Sequence, residues 1–115
     1  MRFLVNGVEG LVLPCEKGGD TALLQLEVIN DDGTLVDVTG LAAKLEIYQR
    51  ADRTGNSPIE LALSPDSTNP TCGRLTAQKI LAATTTQLPV GLNYAFAKIG
   101  AGPIFCHKPL VLSVG

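Results

Sequence analysis

Apolar and polar residues alternate in several short stretches of the chain. Within residues 21–30, Leu24, Leu26 and Val28 occupy every second position, and mostly polar side chains fall between them. A period of two is the pattern of a half-buried β-strand, because successive side chains of a strand point to opposite faces. We therefore expect a strand here, with these three residues facing a core.

The same alternation recurs further along the chain. In residues 41–48 it places Leu45 and Ile47 inward, and it predicts that Lys44 and Glu46 point to water. A helix would instead gather residues three and four positions apart on one side, but charges at every second position favour the strand. Further strands are predicted at residues 10–13, 35–38, 59–64, 75–79, 92–99 and 104–114.

Glycine and proline separate these stretches. The chain has 12 Gly and 7 Pro, and the Asp-Asp-Gly run at 31–33 is a reverse-turn signal because glycine accepts positive φ. Proline donates no hydrogen bond to a sheet, so Pro14 is expected to end the first strand, and Pro109 indicates an edge strand or a bulge. At most one short helical turn is expected, near residues 80–87. Short strands with regular turns predict an all-β sandwich or barrel.

Composition and charge exclude several classes of protein. The chain has 115 residues, 45% hydrophobic, with 9 basic and 11 acidic residues and a net charge of −2. This predicts one domain over residues 1–115, neither disordered nor nucleic-acid-binding. No apolar run approaches the roughly 20 residues that span a membrane. Asn6 and Gly7 interrupt the first apolar residues, so we expect no signal peptide and synthesis in a host cytoplasm.

The reactive side chains do not form a recognisable catalytic or metal site. Cys15, Cys72 and Cys106 are odd in number and widely spaced, which predicts reduced thiols rather than disulfides or a zinc site. His107 follows Cys106, but neighbouring residues of a strand point to opposite faces, so a catalytic dyad is not expected. We expect no enzyme activity, no cofactor, no metal and no small-molecule ligand.

Contact with other proteins is the remaining prediction. The polar loop 49–58 and the segment 104–109, which has apolar residues at both parities, are the expected contact surfaces, because the edges of an open sandwich can bind another chain. Tyr48 is also the best candidate for an aromatic platform that binds carbohydrate. The predicted interface residues are Tyr48, Arg50, Arg53, Ile104, Phe105 and His107.

Three motifs in order give the chain a family resemblance. They are Gly19-Asp20-Thr21, residues 30–40 (Asn-Asp-Asp-Gly-Thr-Leu-Val-Asp-Val-Thr-Gly) and residues 84–96 (Thr-Thr-Thr-Gln-Leu-Pro-Val-Gly-Leu-Asn-Tyr-Ala-Phe). With them, residues 18–114 resemble the immunoglobulin-like domain at the N-terminus of phage baseplate upper proteins and in related tail proteins.

The resemblance implies a fold and a role. The fold is an immunoglobulin-like β-sandwich of about seven antiparallel strands, in which Tyr94 sits inward near the start of its strand, as in a tyrosine corner. The role is that of a non-enzymatic structural protein of the virion, in the tail, baseplate or neck or attached to the capsid. Its partners would be other virion proteins and copies of itself. The alternative is a module that binds carbohydrate or a host surface.

Overall fold

The computed structural model describes residues 1–54, 58–100 and 106–115, which form two β-sheets packed face to face. Nine strands lie within these ranges, so the predicted all-β sandwich is confirmed. The strands are β1 (Arg2–Val5), β2 (Val8–Glu9), β3 (Val12–Cys15), β4 (Leu24–Ile29), β5 (Ala43–Tyr48), β6 (Ile59–Leu63), β7 (Arg74–Gln78), β8 (Gly91–Ile99) and β9 (Leu110–Val114). A short helix α1 (Ala82–Thr85) falls inside the segment expected to be helical, and a 3-10 turn covers Pro70–Cys72.

The strand order is that of an immunoglobulin-like sandwich. One sheet has the order β2-β1-β4-β7 and the other β3-β9-β8-β5-β6. When β2 and β3 are left out, the second and fifth strands (β4 and β7) share one sheet, and the third, sixth and seventh (β5, β8 and β9) share the other. Immunoglobulin domains divide their core strands in the same way. Nine strands rather than about seven are present within the described residues, because β2 and β3 are additional. The pairing of β3 with β9 is parallel, whereas the others are antiparallel.

The core fills the space between the sheets with aliphatic side chains, as the alternation predicted. Leu24, Leu26 and Val28 of β4 are buried, and Leu45 and Ile47 of β5 face them from the other sheet. The remaining fully buried positions include Phe3, Val5, Val38, Leu75, Ile80, Leu88, Leu110 and Leu112.

Two predictions about prolines near strand ends are wrong. Pro14 lies inside β3, opposite Ser113, instead of ending a strand. It is tolerated because β3 is at the edge of the described sheet, where a missing N–H costs no ladder bond if it faces away from β9. The last strand, expected over residues 104–114, begins at Leu110, directly after Pro109, and lies between β3 and β8 rather than at an edge.

The first motif of the resemblance packs against the connection that leads into the third motif. The Asp20 side chain accepts a hydrogen bond from the N–H of Ala82 at 2.7 Å, and so caps α1 from a distant loop. The Thr21 hydroxyl accepts one from the N–H of Ile80 at 2.9 Å, and the buried Thr85 hydroxyl donates one to the Gly19 carbonyl at 2.8 Å. These residues fix the loop before β4 onto the connection between β7 and β8.

The start of β8 differs from the tyrosine-corner expectation. Asn93 is fully buried there, and its side-chain amide donates to the carbonyls of Pro89 and Gly91 at 3.0 and 3.3 Å. Tyr94 is the next residue, so its side chain points to the opposite, outer face and is only half buried. Asn93 therefore takes the inward position, and it binds the turn that carries Leu88.

Candidate functional site

The outer face of the five-stranded sheet carries most of the candidate residues. We use "outer face" for the side chains of this sheet that point away from the core. Strand register aligns Glu46 with Phe96 and Tyr48 with Tyr94 across β5 and β8, and Lys44 with Lys98. On the other side of β5, Glu46 lies opposite Glu60. Since β5 and β8 are interior strands, their outward side chains have neighbours on both sides.

Glu46 is the centre of a hydrogen-bonded cluster on this face. Its side chain is 6% exposed, whereas the sequence predicted that it points to water. The Tyr48 hydroxyl donates to Glu46 Oε1 at 2.6 Å, and Lys44 Nζ lies 3.1 Å from Oε2. Lys98 Nζ lies 3.8 Å from the same oxygen, and Lys44 also donates to Glu60 Oε1 at 2.9 Å. The carboxylate is covered because its neighbours are long side chains that fold over it.

Electrostatics keep this carboxylate ionised. Burial alone would raise the pKa of Glu46, but the hydrogen bonds from Tyr48 and Lys44 and the charges of Lys44 and Lys98 outweigh it, so the pKa falls below its ordinary value. Burial and the hydrogen bond to Glu46 raise the pKa of Tyr48 to about 12. Tyr48 therefore stays a neutral hydroxyl donor at physiological pH.

An arginine stacks on an aromatic ring next to this cluster. The guanidinium carbon of Arg53 lies 5.1 Å from the centroid of the Phe96 ring, a cation–π distance. Tyr48 meets the same ring edge-on, with centroids 6.2 Å apart and planes at 75°. Arg53 has a positive φ of 59°, so the backbone takes an uncommon conformation where its side chain turns onto the sheet.

A shallow groove lies at the end of β5. It has a volume of about 370 Å³ and is lined by Gln49, Arg50, Ala51, Asp52 and Tyr94. Arg50 is exposed, and its Nε lies 3.6 Å from Asp52 Oδ1. The same Asp52 oxygen accepts hydrogen bonds from the hydroxyl and the N–H of Thr54 at 2.6 and 3.1 Å, which order the loop. The aromatic ring that faces this groove is Tyr94.

Among the described residues, the outward positions of β3, β9 and the first part of β8 carry no charged side chain. Register places Val12, Val111 and Tyr94 in one row across β3, β9 and β8, and Pro14, Ser113 and Leu92 in the next row. We call these six residues the apolar corner. The corner diagonally opposite holds Lys44, Glu46, Glu60 and Lys98, and we call it the charged corner.

His107 belongs to a different part of the molecule. Its imidazole Nε2 lies 3.0 Å from Asp31 Oδ2, and its backbone N–H donates a hydrogen bond to the Met1 carbonyl at 3.1 Å. The terminal ammonium of Met1 lies 3.2 Å from Asp31 Oδ1. Hydrogen bonds from His107 and the ammonium lower the pKa of Asp31. His107 therefore holds the turn after β4 instead of joining the outer face.

Cys106 and His107 do not form a dyad in the described structure. Cys106 is buried, with its pKa raised to about 11 chiefly by burial, while the side chain of His107 is exposed and contacts Asp31. Cys15 is partly buried, and burial raises its pKa as well, whereas Cys72 is exposed. All three cysteines are free thiols.

The structure brings some predicted interface residues together and separates others. Tyr48 and Arg53 meet at the Phe96 ring, and Arg50 lines the neighbouring groove. Ile104 and Phe105 lie outside the described residues. Sequence reasoning missed Glu46 and Phe96. The signal available for Glu46 was its position between Lys44 and Tyr48, both able to bond its carboxylate.

Further observations concern metals and membranes. Within residues 1–54, 58–100 and 106–115, no group of three or more His, Cys, Asp or Glu side chains is arranged to hold a metal ion. Over the same ranges, no helix combines the length and the apolar character needed to cross a membrane. Comparison of the chain with protein-family models, curated proteins and solved structures finds no match.

Proposed function

We propose that the chain is a non-enzymatic structural protein of a bacteriophage particle, in the tail, baseplate or neck or attached to the capsid, where it mediates protein–protein assembly. The observation that carries the assembly role is the contact of Arg53 and Tyr48 with Phe96 on the outer face. Arginine and aromatic residues are enriched at protein interfaces and dominate their binding energy.

The cluster is preorganised for such contact. The Tyr48 hydroxyl and the Lys44 ammonium are held by the buried Glu46 carboxylate, so little side-chain freedom remains to be lost on binding. The surrounding sheet is rigid, because β5 is paired on both sides. A partner would therefore meet a fixed surface made of the Phe96 ring, the Tyr48 phenol and the charged side chains of Lys44 and Glu46.

The phage assignment rests on the family resemblance. The first and third motifs contact each other through the hydrogen bond that the Thr85 hydroxyl donates to the Gly19 carbonyl, which supports a common scaffold role for these motifs. In a virion, many copies act together, so that weak individual contacts suffice through avidity.

The proposal is tested in particles produced from the genome that encodes the chain. Quantitative mass spectrometry of purified particles should find the chain at a fixed copy number. Arg53→Glu should lower that number at least about tenfold, because an acidic side chain would replace the cation stacked on Phe96. Arg74→Glu, on the exposed side of β7, is the matched control and should leave the number unchanged.

Two results would contradict the proposal. Particles without the chain would exclude the virion role. Full occupancy by the Arg53→Glu protein would exclude the contact of Arg53 with Phe96 as part of the assembly surface. Circular dichroism of both purified variants must show the wild-type strand content, so that loss of folding is not mistaken for loss of binding.

The groove at Tyr94 favours carbohydrate binding as a second candidate function. An aromatic ring beside an amide, a guanidinium and a carboxylate offers stacking and hydrogen bonds to a sugar. Tyr48 is a poorer platform than the sequence suggested, because its hydroxyl is bound to Glu46 and its ring packs on Phe96. Glycan-array binding that Tyr94→Ala abolishes and Tyr48→Phe retains would support this function, and an array without binding would exclude it.

A further inference from the structure

The apolar corner exposes large aliphatic side chains where a sheet face would otherwise carry polar ones. Val12 is 56% exposed and Leu92 is 53% exposed, and Val111 and Tyr94 lie between them, partly exposed. Antiparallel sheets that face water usually show polar residues at outward positions. Apolar side chains that adjoin one another on such a face gain free energy when a partner covers them, because they are removed from water.

We infer that the apolar corner is where two copies of this chain pair, sheet face to sheet face. The inference rests on the proposed assembly function, and it names one surface and one partner for it. A partner for this corner must itself be uncharged, because burying a charge against these residues without a counter-charge costs several kcal/mol. A second copy offers such a surface.

The apolar corner of one copy is complementary in shape to the same corner of a second copy. Along the first row, small Val12 on β3 leads through Val111 on β9 to large Tyr94 on β8. The second row likewise leads from Pro14 to Leu92. A two-fold axis in the plane of the interface and parallel to β9 exchanges the β3 side with the β8 side. Each small side chain of one copy then faces a large one of the other, as an isologous interface requires.

This axis also leaves the ion pair of Lys44 with Glu60 in water. Sheet order places β5 and β6 beyond β8, on the side away from β3. Under the proposed rotation, β3 of the second copy covers β8, and nothing of its described sheet extends over β6. Glu60 on β6 therefore stays at the rim with its partner Lys44, where an ion pair needs no desolvation.

The size of the corner predicts a weak pair. Three strands about 4.8 Å apart and two rows about 7 Å apart give roughly 200 Å² of flat area. Stable complexes bury about 800 Å² on each partner. We therefore expect reversible dimers that populate only at high protein concentration, and that become effective when copies are held together in an assembly.

The test is the oligomeric state of the purified chain, measured without any other particle protein. Sedimentation velocity from about 10 μM to 1 mM should show a reversible shift from monomer to dimer. Leu92→Lys should weaken the association at least about tenfold. Leu81→Lys is the matched control and should have no effect, because Leu81, which is 55% exposed, is about as exposed as Leu92 but lies outside the corner.

A charge pair tests the direction of the axis. Pro14 of one copy is expected to face Leu92 of the other. Either substitution alone, Pro14→Lys or Leu92→Glu, should therefore dissociate the dimer. Their equimolar mixture should associate again, because one junction then pairs Lys with Glu and the other keeps the original residues. A mixture that remains monomeric would overturn this arrangement.

The outcomes separate the inference from the function on which it rests. A wild-type chain that stays monomeric up to about 1 mM, or a control that weakens the dimer as much as Leu92→Lys does, would overturn the pairing. Neither result bears on the copy number in purified particles. Dimers in solution together with particles that lack the chain would overturn the virion proposal and leave the pairing standing.

Discussion

Gly73 occupies a backbone position that no other residue can adopt without moving a neighbouring strand. Its φ is +74°, and a Cβ built on it would lie 2.0 Å from the carbonyl oxygen of Val28. The backbones cannot separate, because the N–H of Val28 donates to the Gly73 carbonyl at 2.8 Å. We expect Gly73→Ala to lower the free energy of unfolding by at least about 3 kcal/mol in urea denaturation.

Gly33 provides the control for this substitution. It also has a positive φ, +86°, but a Cβ there would meet nothing within 4 Å. Gly33→Ala should therefore cost only the conformational penalty, about 1 kcal/mol. Equal losses for the two variants would show that the contact with Val28 is not the cause.

The Glu46 carboxylate makes stability depend on pH. Its pKa is lower in the folded protein than in the unfolded chain, so its contribution is present above the ordinary pKa of about 4.3 and is lost as pH falls through the folded pKa. Glu46→Gln should lower the free energy of unfolding by about 1 kcal/mol at pH 7. The difference between wild type and variant should shrink below about pH 4.3 in urea titrations.

Glu60→Gln is the comparison for Glu46→Gln. Glu60 shares Lys44 with Glu46, but its side chain is 54% exposed, so its ion pair contributes little. We expect a smaller loss at pH 7 than for Glu46→Gln. A loss that is the same at pH 7 and well below the ordinary carboxyl pKa would contradict the role assigned to the Glu46 charge.

For individual side chains, the sequence predicts which positions alternate but not how long side chains cover one another. The inward positions of β4 and β5 followed from their period of two. Glu46 was assigned to water by the same rule, and the rule failed because Lys44 and Tyr48 close over it from its own strand. Asn93 was not expected inside because its two bonds go to carbonyls of a turn whose shape the sequence does not show.

The element that holds the loop before β4 in place is the single turn of α1. Thr85 is fully buried, and its hydroxyl donates to the Gly19 carbonyl. Thr85→Val keeps the volume and removes the donor, so the carbonyl loses this hydrogen bond. We expect a loss of about 1–2 kcal/mol in thermal or urea unfolding. Thr86→Val, at an exposed neighbour, should be nearly neutral, and equal effects would exclude the bond to Gly19 as the cause.

At the element scale, local pairing could be predicted and non-local pairing could not. Strands β5 and β6 appear in the sequence as alternating runs on either side of a polar loop. The hairpin of β1 and β2 was missed, although Asn6-Gly7 is a strong signal for a two-residue turn, and both residues have positive φ. Strand β3 was predicted two residues too early because Pro14 was taken as its end. Its parallel partner β9 lies about a hundred residues away, beyond the reach of any local pattern.

For the domain as a whole, the three thiols differ in how far the sandwich must open before each can react. Cys72 is exposed, Cys15 is partly buried, and Cys106 is 2% exposed with a pKa of about 11. We expect Cys72 to react quickly with an aromatic disulfide reagent at pH 8 and Cys15 to react more slowly. Cys106 should react only when the sandwich opens. Peptide mapping identifies each labelled thiol.

The dependence on denaturant tests this order. Labelling of Cys106 should accelerate with urea in proportion to the population of the unfolded state, while labelling of Cys72 should barely change. Fast labelling of Cys106 without urea would contradict the buried position assigned to it.

The parallel pairing of β3 with β9 determines how the domain would resist a pulling force. The two strands run in the same direction, with Val12 beside Val111 and Cys15 beside Val114. Tension applied to the leading end of β3 and the trailing end of β9 would slide them lengthwise, so the bonds between them would share the load and would have to rupture together. The same tension on a hairpin's two open ends would unzip its rungs one after another. If the proposed assembly role holds, this pair of strands would act as a mechanical clamp when the assembly is pulled.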